Sequence, residues 1–356
     1  PTASNMWSWL EVYPQHVFPN DRGEKEQMSV GVAQNAVGGR LGSMSEQGAR
    51  GRSFHGGYTD TRPEVVRLGL NFTQQWVRVL SEDPRVVFVT GWNEWIAGRF
   101  AEFNGVKLPV MFVDQFDQEH SRDIEPMRGG HGDDYYYQFA GFVRRYKGAR
   151  EAGPVRSRPI HVDGSFEDWA GVEPEFRDTL GDPVRRQHRG WATNVVYSNR
   201  TGRNDIASAK VSAGERAAWF LVRTREAMVG PEGGSPGWMH LYVDADGDGS
   251  TGWEGFDVCV NRVRGRSETS VERHAGPGQG YRWKPSGSAR VVMVGNQLEL
   301  EVPWARMGLA KAPPRLDFKW ADQCFEKGDW TDFTLNGDAA PNDRFRYRAV
   351  FAPAPE

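Results

Sequence analysis

The stretch VVFVTGWNEW, residues 86–95, sets a carboxylate and a carboxamide between two indoles, directly after a run of strand-forming residues. Residues 86–89 read as a strand buried on both faces. Asn93 and Glu94 then fall at its carboxyl end, where parallel α/β folds carry their chemistry. Trp92 and Trp95 flank Glu94, and indole rings on either side would raise its pKa by desolvation, the condition for a general acid near neutral pH. Asn93 could hold a substrate hydroxyl. Aromatic surface beside an acid suits sugars, which offer flat C–H faces and a rim of hydroxyls. Glycoside cleavage uses a second carboxylate. FVDQFDQEHSRDIEP (112–126) supplies candidates, with Glu125 and Glu119 ahead of Asp114, Asp117 and Asp123. Trp7, Trp9, Glu11, Gln34, Asn35 and His131 are further candidates for lining a substrate site.

Two other groups lie in the second half. DADGDG (244–249) offers Asp244, Asp246 and Asp248 at spacing two with a glycine at the sixth position, the pattern a Ca²⁺ loop uses. Its twelfth position is Gly255 and a strand precedes it, so it is not an EF-hand; Asp257 or Glu254 is left to close the shell, and a metal-free Asp-Gly turn is the alternative. Trp191, Trp238, Trp253 and Trp283 lie near turns and are candidates for stacking on sugar rings, whereas Trp169 and Trp304 read as structural. Met239-His240 would point to opposite sides of a strand and cannot both ligate one haem iron.

The elements that must position these residues fall in two blocks, an α/β part followed by an all-β part. MWSWLEVYP (6–14) reads as a strand, as does MSVGVAQNAV (28–37). A helix is predicted from the Asp60-Thr61 cap, with Pro63 in its first turn and Val65, Leu68, Phe72, Trp76, Val79 and Leu80 at three-four spacing. The strand at 86–89 completes a parallel crossover. Residues 96–131 read as a long insertion with a hairpin, and a helix follows over 133–148, ended by Gly148. Residues 151–159 form a Pro/Gly linker. From 160 to 356, short alternating runs between turn clusters indicate an antiparallel β-sandwich.

A chain of 356 residues fits two domains. With 38% hydrophobic and 26% charged residues it is globular, and a net charge of −3 gives no footing for nucleic acid. No run of about 18 apolar residues predicts a membrane span. Fourteen tryptophans are the outlier; indoles fill cores and also stack on sugar rings, which leaves an oligo- or polysaccharide partner open beside a Trp-rich core. Cys259 and Cys324 are open to one disulfide or two buried thiols. The start PTASNMWSW, without an initiator Met or a signal peptide, reads as a mature end or a fragment.

GWNEW followed by DIEP resembles the barrel ends of family 99 glycoside hydrolases and the related domains of bacterial polysaccharide gene clusters, through Asn93, Glu94, Trp95 and Ile124-Glu125-Pro126. The resemblance implies a (β/α)8 barrel, here only its C-terminal strands over 1–150, acting on glycans with Glu94 in the catalytic pair. Where that family carries a second Glu three residues on, this chain has Ala97. IHVDGSFEDW (160–169) resembles the opening of family 9 carbohydrate-binding modules through Val162-Asp163-Gly164 and Asp168-Trp169, and LYVDADGDGSTGWEGFDVCVNR (241–262) continues the likeness. Together they imply a secreted, periplasmic or surface glycosidase with an appended binding sandwich and no catalytic cofactor. The alternative is a non-catalytic glycan-binding or surface-attachment protein, which Ala97 favours.

Overall fold

The computed structural model describes residues 6–94, 98–127, 130–148, 153–185, 187–189, 196–198, 202–231, 237–323, 328–330 and 332–351. The chain divides into two compact units, Pro1–Arg150 and Glu151–Glu356.

In the first unit Lys25–Gly31 and Val86–Thr90 pair in parallel, and Phe18–Pro19 adds antiparallel to the free side of Lys25–Gly31. The crossover between the parallel strands contains the helix Leu70–Glu82. Phe72, Trp76 and Val79 lie on one face of it and pack on Met28 and Val30 of the inner strand. A second helix, Asp134–Lys147, closes over them, its Phe142 ring stacked on Trp76 at 5.3 Å.

Three expectations are corrected here. The first helix begins at Leu70 and not near Asp60, because a 3₁₀ turn at Pro63–Arg67 is followed by Gly69 in the left-handed region at φ 62°. That break turns Leu68 outward. The aromatic run 6–14 forms no ladder. It lies across the inner strand instead, where the Ser8 carbonyl accepts from the Gln27 amide and the Ser29 hydroxyl, and Trp9 meets Phe88 at 5.5 Å. Finally, the resemblance implied the C-terminal strands of a (β/α)8 barrel, which run parallel; among the described residues this unit holds one parallel pair with an antiparallel strand beside it, and nothing in it shows a barrel.

The insertion contains the expected hairpin. Arg99–Phe103 pairs with Val106–Phe112 around Asn104-Gly105, both at positive φ, as a two-residue hairpin turn that follows the strands' twist demands.

The second unit is dominated by one antiparallel sheet, eleven-stranded among the described residues, beside a separate hairpin pair, Gln187–Arg189 with Val196–Ser198. Its order is Phe176–Arg177, Ile206–Ala213, Ala217–Thr224, Gln297–Pro303, Trp283–Val294, Glu268–His274, Val258–Arg264, His240–Asp244, Arg315–Ala321 and Ala339–Ala340, with Tyr347–Val350 also on Arg315–Ala321. The sheet curls until its ends meet. Phe176 lies 5.2 Å from Phe318 and 5.3 Å from Tyr347, and the Ile206 amide donates to Asp338 at 2.6 Å. Both halves therefore face a single core that includes Phe220, Leu241, Val258, Leu300, Phe318 and Trp320. The expected sandwich is in this form a nearly closed sheet, held by non-polar burial on its inner side.

Residues 162–169 are pinned to the outside of this sheet by one carboxylate. Glu299 is fully buried; its Oε1 accepts the Asp163 and Gly164 amides at 2.9 and 2.8 Å, and its Oε2 accepts Trp169 Nε1 at 3.1 Å. Gly164 sits at φ 87°, which explains a glycine there. The Asp-Gly and Trp landmarks read from the sequence are thus two ends of one clamp. Charge-assisted bonds of this kind contribute about 1.5–3 kcal/mol each.

Candidate functional site

Period-two alternation gives the sheet of the second unit a second face. Leu241 and Val243 point into the core while Tyr242 points out; Val258 and Val260 point in while Cys259 points out. On the outer side an aromatic bed forms. Trp253 is its centre, with Tyr281 at 4.6 Å, Tyr242 at 5.4 Å and Phe333 at 5.7 Å between ring centroids. Tyr281, Trp283 and Trp330 lie over this bed, partly exposed. Trp283 is held edge-on by Tyr281 at 5.6 Å and by His274 at 5.5 Å.

The bed carries polar groups at its rim. The Tyr242 and Tyr281 hydroxyls meet at 2.8 Å, and the Arg344 guanidinium lies 4.8 Å over the Trp330 ring while pairing with Glu254 at 3.1 Å. Trp283 Nε1–H is buried without a hydrogen-bond partner among the described residues. Beneath the rings the Cys259 thiol is a free, buried thiol, its pKa pushed up by burial, and it is inert there. Cys324 lies outside the described residues.

Of the tryptophans singled out by sequence, Trp253 and Trp283 belong to this bed. Trp253 is nearly covered and donates to the Gly328 carbonyl at 3.2 Å, so it supports the surface more than it forms it. Trp238 is buried in the core, donating to the Val229 carbonyl at 2.7 Å with Arg264 over its ring. Trp191 lies outside the described residues. Sequence reading missed Trp330 and Tyr281. Trp330 follows a Gly-Asp step in KGDW and could have been found by the same turn criterion applied to the others.

The acidic loop is rearranged from the expected set. Asp244, Asp246 and Asp257 bring carboxylate oxygens within 4.8 Å of one another. Asp248 turns away and accepts from the Ser250 amide and hydroxyl at 2.9 and 2.6 Å. Burial pushes the Asp244 carboxyl up to about 6, against the pull of the Gly247 amide and of Arg346, whose Nη1 lies 2.7 Å from it. Hard oxygen donors at this separation suit Ca²⁺, while the Arg346 charge already on Asp244 works against a tightly held ion. A second trio, Asp182, Asp205 and Asp338, lies where the sheet ends meet.

In the first unit the strand end and insertion bring several expected residues together. The Glu94 amide donates to Asp123 at 2.8 Å, and Arg122 Nη2 bridges Glu94 at 2.9 Å and Asp114 at 2.5 Å. Asn93 reaches Glu125 at 3.5 Å. Glu94 is not desolvated as expected: its side chain is 45% exposed, and Trp92, itself an exposed residue, is turned toward Tyr136 at 6.4 Å. Asp123 is the buried acid, its carboxyl pushed up by burial. Trp95 lies outside the described residues.

The other expected substrate contacts separate into two groups. Trp7, donating to Glu26 at 2.8 Å, and Trp9 remain exposed, and Glu11 pairs with His16 at 2.9 Å. Gln34, Asn35 and His131 are buried. Gln34 donates to Asn71 and Asn35 to the Val113 carbonyl, so both fasten loops. Burial pushes His131 down to about 4. Glu119 accepts the Ser53 amide and hydroxyl at 2.9 and 2.7 Å, a loop clamp.

Among solved structures the chain is similar to a family 9 carbohydrate-binding module from Caldicellulosiruptor kristjanssonii in complex with glucose, at 11% identity over 58% of this chain and 98% of that one, with a TM-score of 0.30. A module of the same family and organism in complex with cellotriose matches at 11% identity over 55% of this chain and 80% of that one, with a TM-score of 0.26. No protein-family model and no curated protein matches the chain. Scores of this size leave the functional case to the chain's own residues.

Proposed function

We propose that the protein binds oligo- or polysaccharide on the outer aromatic face of its second unit. The observation that carries this is the set of three partly exposed rings, Tyr281, Trp283 and Trp330, laid over a buried aromatic bed. Rings supply flat apolar area at low entropic cost, and the rim supplies groups for hydroxyls. The ligand class is uncharged or weakly charged sugar, since the guanidiniums over two of these rings already have carboxylates: Arg344, over Trp330, on Glu254 and Arg262, over Tyr281, on Glu272. Calorimetric titration of the full chain with neutral oligosaccharides tests this. Saturable heat is expected; silence across glucans, xylans, mannans and galactans refutes the reading. A polysaccharide partner fits a secreted, periplasmic or surface protein, and no helix among the described residues is long and apolar enough to cross a membrane. Ca²⁺ held by Asp244, Asp246 and Asp257 would brace the loop next to strand His240–Asp244 and take no part in chemistry.

A second reading keeps glycosidase activity in the first unit. It is favoured by the convergence of Glu94, Asp123 and Glu125 at one strand end. Glu94→Gln in the full chain would abolish any glycan hydrolysis while leaving binding intact; a wild type without turnover on any bound glycan removes this reading and leaves the binding one standing.

A further inference from the structure

A cavity of about 290 Å³ opens at the turn joining Ile206–Ala213 to Ala217–Thr224, and it shares no residue with the aromatic bed. It is lined by Ser157, Arg158, Gly214, Glu215 and Trp219, among others. Trp219 alternates with the core residues Ala218 and Phe220, so its ring lies on the outside of the sheet. The six-membered end of the indole covers Gly214, where any Cβ would meet Cη2 at 2.6 Å. Glycine there lets the ring lie across the hairpin turn.

Two features make this a built site. The wall opposite is fixed: the Arg158 amide donates to Ser212 Oγ at 2.9 Å, the same hydroxyl donates back to the Arg158 carbonyl at 2.7 Å, and the Ala213 amide donates to Ser157 Oγ at 3.1 Å. Glu215 stands exposed at the cavity and takes part in no ion pair among the described residues, while the Arg158 guanidinium lies over Gly171, which does not line the cavity. A lone carboxylate at the rim accepts from sugar hydroxyls and disfavours an anionic ligand. The volume is at the lower end of small-ligand sites.

We propose that this cavity is a second saccharide site, taking one neutral hexose unit against the Trp219 indole, independent of the outer aromatic face. The test is indole ¹H–¹⁵N NMR of the full chain, with the Trp219 Nε1–H resonance assigned by its loss in Trp219→Phe. Glucose, mannose, galactose and cellotriose are titrated, with galacturonate as the charged comparison. At least one neutral sugar is expected to shift this resonance saturably. The shift should persist in Trp330→Ala, and Glu215→Gln, a surface change that leaves the fold intact, should weaken the binding about fivefold. The proposal is overturned if no neutral sugar moves the resonance, if the shift disappears in Trp330→Ala, or if galacturonate is the stronger ligand.

Discussion

His240 sits on the aromatic side of its strand, buried, with Nδ1 3.2 Å from the Tyr242 hydroxyl. Burial first, and the Arg262 charge second, push its pKa from 6.5 down to about 3. The fold therefore holds the neutral ring, whereas the unfolded chain protonates near 6.5. The stability this confers is fully present above that value and is lost as the pH falls toward 3. In urea unfolding, the midpoint gap between wild type and His240→Gln should shrink from pH 7.5 to pH 5. A gap that stays constant or widens would mean that the folded ring is already charged. At the same scale Glu94 and Glu299 exchange the roles their sequence contexts suggest. Glu94, between indoles in sequence, is exposed and salt-bridged, while Glu299, inside the alternating run QLELEVP, is fully buried as a clamp. Sequence neighbours of a carboxylate do not report its burial; partners distant in the chain decide it, 28 residues away for Glu94 and more than 100 for Glu299.

At the scale of elements, local chemistry was legible and long-range satisfaction was not. Asn104-Gly105 marks its hairpin turn, Gly148 ends its helix, and the period-two runs after residue 160 are strands. The helix start at Leu70 was hidden because Gly69, not the Asp60-Thr61 pair, sets the break. The aromatic run 6–14 has strand composition, but its neighbours offer side-chain partners and not a ladder. The loop after His240–Asp244 followed the same rule: Asp244 and Asp246 stay together, while Asp248 is drawn to Ser250 and Asp257 replaces it across the turn. If that trio takes Ca²⁺, millimolar CaCl₂ should raise the melting temperature of the EDTA-treated chain by a few degrees, on the order of 1 kcal/mol of linkage. Asp257→Asn should remove the increment and Asp248→Asn should not. An unchanged melting temperature would leave a metal-free turn.

For the molecule as a whole, the two units differ in how much function they can carry. The first assembles an acid cluster at the end of one parallel pair, without the ring of strand ends that surrounds a barrel active site. The second encloses its core within one curled sheet and has aromatic surface left over on the outside, which neither its core nor its clamp at Glu299 requires. Apolar rings kept partly exposed on a well-packed scaffold mark a contact surface. The most direct measurement is calorimetric affinity of the full chain for its best neutral oligosaccharide, compared among wild type, Trp283→Ala and Trp330→Ala. Binding should weaken about tenfold or more in each variant, with melting temperatures held, as for truncation of a central aromatic contact. Variants that bind as tightly as wild type would contradict the assignment of this face.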